Sequence, residues 1–117
     1  MQFKAQAKHL QFSPFKLRPV ADQIRGRNVA YALHWLSTLG LKKAVPVAKV
    51  IASAAANAQH NGGIDSKDLV VQEIRVDCAR IFKYYTPGSM GRAAIQRRRF
   101  SHISVVLKSV KQEQKEA

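Results

Sequence analysis

The stretch from Arg80 to His102, RIFKYYTPGSMGRAAIQRRRFSH, carries six bases and no acid, and its apolar residues are too few and too scattered to bury a core. Its middle, Thr86-Pro87-Gly88-Ser89-Met90-Gly91, is turn chemistry: proline presets one φ angle and glycine permits positive φ. The flanks, Ile81–Tyr85 and Ala93–Gln96, can run extended, so the segment reads as a β-hairpin with a loose tip. An isolated two-stranded hairpin is marginal in water. Something outside the segment has to order it, and its charge calls for a polyanion.

The rest of the chain supports that reading. Twenty Lys and Arg against seven Asp and Glu give a net charge of +13 on 117 residues, while 46% hydrophobic residues are enough for a folded body. Such an excess fits nucleic acid first and an anionic membrane second. The charge is blocked: nothing acidic lies between Asp22 and Asp65 or between Asp77 and Glu113, and the second gap holds eight bases. Blocks of this kind suit a surface that follows a phosphate backbone. A membrane role would want one strongly basic amphipathic helix, and none is evident. The single cysteine, Cys78, excludes an internal disulfide and a cysteine-based zinc cluster and suits a reducing compartment. With no apolar leader or membrane-length run, the expected location is the cytoplasm.

Hydrophobic periodicity lays out the remaining elements. Residues 2 to 10 alternate, with Gln2, Lys4, Gln6 and Lys8 opposite Phe3, Ala5, Ala7 and His9, as in a half-exposed strand. His9, on the less polar face, is expected to be packed or hydrogen-bonded. Ser13-Pro14 is a helix start, with Ser13 capping; Leu17, Val20, Ala21 and Ile24 form its stripe. Pro19 inside it predicts a bend or tight first turn, and Gly26 ends it. Asn28 can cap a second helix with Val29, Ala32, Leu33 and Leu36 inward, stopped by Gly40. A third helix spans about 42–60, striped by Ala44, Val47, Ala48, Ile51 and Ala55; Lys49, Ser53 and Asn57 share another face. Leu69–Val76 is a strand, Asp77-Cys78-Ala79 a candidate bulge, Ser101–Val110 a last strand, and 111–117 a frayed tail. The order implies an α+β fold: three helices on a small three-stranded antiparallel sheet, with a long protruding hairpin arm at about 80–100 of a single domain over 1–110.

Enzyme chemistry has little to rest on. His9, His34, His60 and His102 are scattered, no glycine-rich phosphate loop opens a helix, and no metal, cofactor or small-molecule substrate is expected. A helix-turn-helix DNA-binding protein is the alternative, because the first two helices and the Arg25-Gly26-Arg27 turn have roughly the right lengths. Its second helix, VAYALHWLSTL, has no Arg, Lys or Gln to read base edges. The bases sit on the arm instead, interleaved with Phe82, Tyr84, Tyr85 and Phe100. That mixture suits RNA with splayed or stacked bases.

An ordered set of motifs then resembles the bacterial large-subunit ribosomal protein number twenty-two, the tunnel-lining family. These are Ser13-Pro14, Lys16-Leu17-Arg18, Val20 through Arg27, Ala32-Leu33 with Leu36, Lys42-Lys43-Ala44, Ser53-Ala54, Ala56-Asn57-Ala58, His60-Asn61, Gly91-Arg92-Ala93 and Ser101 through Val106. The resemblance implies a body near the exit of the peptide tunnel, a hairpin reaching inward, and no catalysis. It also implies large-subunit ribosomal RNA, neighbouring large-subunit proteins and the nascent peptide as partners, in the cytoplasmic ribosome. The candidate RNA-binding residues are Lys4, Lys8, Lys16, Arg18, Arg25, Arg27, Lys49, Ser53, Asn57, His60, Lys83, Arg92, Arg97, Arg98, Arg99 and His102. The candidate tunnel tip is Tyr85, Thr86, Pro87, Gly88, Ser89, Met90 and Gly91. Family tips usually carry Arg or Lys around the proline; here the tip is uncharged and the stem keeps the charge.

Overall fold

The computed structural model describes residues 2–109. Strand β1 (Gln2–Leu10) is followed by helices α1 (Pro14–Ile24), α2 (Val29–Leu39) and α3 (Ala44–Gly62), then β2 (Leu69–Cys78), β3 (Phe82–Pro87), β4 (Ala93–Arg98) and β5 (Ser101–Ser109). β5 is central, antiparallel to β1 on one side and β2 on the other; β3 and β4 form a separate two-stranded sheet. This is the expected α+β architecture. The expected frayed tail and Val110 lie outside the described residues.

The core lies between the helices and one face of the sheet. Alternation on β5 puts Ile103, Val105 and Leu107 inward, joined by Phe3, Val71, Ile74 and Val76 from its neighbours. From the helices, Leu17, Val20, Ala21 and Ile24 of α1 and Val29, Ala32 and Leu36 of α2 meet them, as their 3.6-residue spacing requires. Asn28 caps α2 by accepting from the Ala30 N–H at 2.9 Å. The loop before α2 also closes the outer edge of β2: the Gly26 N–H donates to the Val71 carbonyl and the Val71 N–H to the Arg27 carbonyl, each at 2.9 Å. Gly26 can make this contact because its φ is +79°. At the end of α3, a Cβ on Gly62 would stand 2.9 Å from the Phe3 ring, so glycine there lets β1 pack closely.

Three details depart from expectation and two refine it. Ser13 makes no side-chain cap; its carbonyl accepts from Lys16 and Leu17, and its hydroxyl borders a basic pocket described below. α1 runs on through Pro19, and its first turn is tight, as expected: the Lys16 N–H meets the Ser13 carbonyl three residues back at 3.1 Å. α3 buries Val50, Ala54 and Ala58 beside Ala44, Val47 and Ile51, while Ala48 and Ala55 are only half-buried. A helix packed against both α2 and the sheet buries two adjacent stripes, and the sequence reading had allowed for one. His9 is exposed yet hydrogen-bonded and in ring contact with His102: the β1–β5 register shifts between Ala7 and Leu10, and His9 takes φ +59° there. Asp77 and Cys78 stay in register with His102 and Ser101 instead of bulging. The register shift within β2 falls between Val71 and Glu73.

The arm continues the β2–β5 pair outward. Cys78 pairs with Ser101, and the Ala79 N–H reaches the Phe100 carbonyl at 3.0 Å. Pairing resumes at Phe82 with Arg98, with one more residue on the outgoing strand than on the returning one, so the irregularity sits at 79–81. The molecule measures 67 × 25 × 25 Å with a radius of gyration of 17.7 Å. A compact chain of 100 residues has about 13 Å, so the arm projects well clear of the body.

Because the body holds the core and the arm holds none, truncations should differ sharply. Ile51→Ala, at a fully buried site, should cost about 2–5 kcal/mol in urea denaturation. Ile95→Ala on the exposed arm should cost less than about 0.5 kcal/mol. Equal losses would contradict this division.

Candidate nucleic-acid interface

Direct cross-strand partners share a face of a sheet. One face of the arm therefore carries Phe82 with Arg98, Tyr84 with Gln96 and Thr86 with Ala94; the other carries Lys83 with Arg97, Tyr85 with Ile95 and Pro87 with Ala93. Each face thus has positive charge near the base, Arg98 on the first and Lys83 with Arg97 on the second, and a tyrosine ring further out. Both are open to solvent: Tyr84 on the first is 46% exposed and Tyr85 on the second 67%. The rings have little to do in a fold that leaves them bare, but they offer stacking platforms beside phosphate-binding guanidinium groups.

The tip is a tight turn. The Gly88 N–H donates to the Arg92 carbonyl and the Arg92 N–H to the Ser89 carbonyl, closing a tight turn with positive φ at Met90 and Gly91. Met90, at φ +58°, stands 96% exposed at the apex. Gly88 cannot gain a side chain freely, since its Cβ would lie 3.0 Å from the Arg92 carbonyl. The tip residues Tyr85 to Gly91 are therefore one continuous, uncharged projection.

At the arm's base the body joins in. A pocket of about 370 Å³ is lined by Ser13 and Lys16 from the start of α1 and by Tyr84, Arg97, Arg98 and Arg99 from the arm. Four cations, a phenol and the open N-terminal end of a helix surround it. Helix N-termini favour anions because the first N–H groups lack partners inside the helix. Phe82 and Phe100 brace the base edge-to-face with ring centroids 5.1 Å apart, and the Arg80 guanidinium lies 5.7 Å from the Phe82 ring centre. The sequence reading placed Lys16 and Arg97–Arg99 in the set but missed Ser13, assigned to capping, and Tyr84, named only as an interleaved aromatic. Their convergence depends on how the hairpin leaves the sheet, and local spacing does not encode that.

Other members of the expected set serve the fold. Arg18 donates to the Val76 carbonyl at 3.3 Å and lies over Phe15; Arg25 bonds the Ile74 carbonyl at 2.8 Å and Asp22 at 2.7 Å. Arg27 lies over the Tyr31 ring, leaving its fork on the surface beside the α1–α2 turn. Asn57 donates its amide to the Lys4 carbonyl at 3.2 Å. It thus occupies an acceptor on β1, an edge strand whose open groups could otherwise pair with another chain. His102 accepts the His9 backbone N–H on Nδ1 at 3.1 Å, with the two rings edge-on at 5.0 Å. Lys4 borders a cleft on the helix-free face of the sheet with Glu73, Arg75, Asp77 and Ser104, where opposite charges are mixed. Lys49 and Ser53 line a separate apolar groove. Lys8, His60, Lys83 and Arg92 are exposed. The set therefore divides among several places, and only the arm with its base pocket concentrates cations without intervening acids.

Among the described residues no group of three His, Cys, Asp or Glu side chains could hold a metal ion, and no helix is long and apolar enough to cross a membrane. Ser37 and Thr38 on the outer side of α2 turn their hydroxyls back to the His34 and Trp35 carbonyls. That helix offers no basic reading head.

Fold and interface together define a small basic α+β protein with a projecting, cation-rich two-stranded arm. The chain matches the ribosomal protein L22p/L17e family over residues 5–108 and belongs to it. It is 47% identical over 112 residues to the large ribosomal subunit protein uL22 of Desulforamulus reducens (96% of this chain, 99% of the relative). It is 40% identical over 111 residues to that of Synechococcus sp. strain JA-2-3B'a(2-13) (95% and 90%), and 39% identical over 111 residues to uL22c of Chlorokybus atmophyticus (95% and 93%). The family is a structural, non-enzymatic one.

The geometry gives Asn57 a fold role that can be measured. Asn57→Ala should lower stability by about 0.5–1.5 kcal/mol in chemical denaturation, the usual worth of one hydrogen bond, while exposed Ser53→Ala should leave it unchanged. If Asn57→Ala has no effect on stability, its bond to Lys4 is incidental.

Proposed function

We propose that this chain is an architectural constituent of the large subunit of the cytoplasmic ribosome. On this reading it binds large-subunit ribosomal RNA, supports subunit assembly, meets neighbouring large-subunit proteins, and extends its hairpin so that residues 85–91 line the nascent-peptide exit tunnel. The domain over 1–110 makes and breaks no bond. Its work is to hold RNA segments in place and to shape a wall.

The observation that carries the RNA assignment is the base pocket, where Lys16, Arg97, Arg98 and Arg99 surround a space beside Tyr84 with no acid among the lining residues. Arginine binds phosphate through a planar fork, and an adjacent ring can take an unstacked base. Lys83 and Arg92 extend the positive track along the arm. The tunnel assignment is supported by the tip: its side chains are uncharged, and its apex, Ser89 to Gly91, lies beyond the last cation, Arg92. A segment that slides past arbitrary peptide sequences is better served by a neutral surface than by one that holds charges.

Stem and tip should therefore separate experimentally. Replacing Arg97, Arg98 and Arg99 with Ala should reduce the slope of log K against log salt for RNA binding by about 2–3, roughly one contact per residue, and impair incorporation into subunits. Deleting Gly88-Ser89-Met90 should leave RNA affinity and assembly nearly intact while changing nascent-chain passage through the assembled tunnel. A tip deletion that abolishes assembly, alongside a triple-Arg variant that assembles normally, would overturn the assignment.

A further inference from the structure

The RNA reading uses the arm and leaves unexplained an apolar channel at the start of α3. A groove of about 480 Å³ lies between the end of β1 and α3, floored by Leu10, Phe12, Pro46 and Val50 and bordered by Lys42 and Lys49. A second, of about 380 Å³, lies beside it; the two share Val45 and Lys42, and the second continues to Leu36 and Leu41. Val45, which lines both, is 53% exposed, and Leu41 in the second is 44% exposed. Contiguous exposed apolar surface of this kind marks a contact site in soluble proteins.

The character of the channel selects its occupant. Phosphate-rich RNA laid over Leu10, Phe12, Pro46 and Val50 would lose hydration there, with only Gln6, Ser53 and the two lysines of this lining able to hydrogen-bond in return. The cations are confined to the border, and no acid lines either groove. Lys42, in the turn before α3, and Lys49, on α3 itself, flank Val45 and Pro46. We infer that this channel docks a short segment of a neighbouring protein in the large subunit, one that carries apolar side chains between two carboxylates. The apolar side chains fill the groove and the carboxylates meet Lys42 and Lys49. The inference rests on the ribosomal reading above. It takes Lys49, and Ser53 beside it, out of the RNA-facing set.

The test uses full-length chain with photoreactive p-benzoylphenylalanine in place of Val45, assembled into large subunits, irradiated, and mapped by mass spectrometry of the cross-linked peptides. A second derivative at Leu41 stands in if the first is excluded from subunits. The expected result is a cross-link to one protein segment with apolar residues flanked by Asp or Glu, and a drop of at least about threefold in its yield when Lys42→Glu and Lys49→Glu are added, the size a loss of under 1 kcal/mol in pairing produces. Cross-linking to ribosomal RNA, to a basic or wholly polar segment, or to nothing would overturn the inference. So would a yield indifferent to the two lysines. Unmodified chain that fails to co-sediment with large subunits would instead sink the ribosomal reading itself, and the two failures are thus distinguishable.

Discussion

The pairing of β2 with β5 is the interaction on which the rest of the molecule depends. It builds the centre of the sheet that the helices cover, and it runs on past Cys78 and Ser101 to become the root of the arm. A single antiparallel pair thus serves as core at one end and lever at the other. The extra residue at 79–81 marks the change. Inside it, alternation decides which side chains meet the helices; beyond it, there is nothing to meet, and both faces are open.

Different forces hold the two ends. The body is stabilised by burial, with Leu17, Ile24, Ile51, Ile74, Ile103 and Leu107 shut away from water. The arm has cross-strand hydrogen bonds, one ring pair at its base and a tight turn at its tip. Fixing backbone costs about 1–2 kcal/mol per residue, and hydrogen bonds exchanged with water return little of that. Contacts made by Lys83, Arg92 and Arg97–Arg99 with a polyanion would offset the remainder. The same residues that leave the free arm unsupported are then those that fix it in an assembly.

Much of this was legible in the sequence because it depends on short-range periodicity. The stripes of α1 and α2, the Asn28 cap, the alternation of β1 and β5 and the hairpin with its tip all follow from neighbours within a few residues. What the sequence did not disclose depends on pairing between distant segments. His9 is expelled by a register shift against β5, Arg18 and Arg25 are claimed by carbonyls of β2, and Asn57 is claimed by Lys4. In the sequence, the two arginines and Asn57 looked like free polar groups on a basic surface, and His9 like a residue of the less polar face of its strand. The base pocket was half legible: the charges could be counted, but Ser13 and Tyr84 join them only through the direction in which the arm leaves the sheet.

The central claim is that this arm needs a partner to hold it, and amide hydrogen exchange tests it most directly. In the free protein, amides across residues 80–100 should exchange rapidly while those of β2 and β5 inside the body are protected by the core. In assembled large subunits the arm's amides should slow to the level of the body. Strong protection of the arm in the free chain, or exchange that stays fast after assembly, would contradict the account.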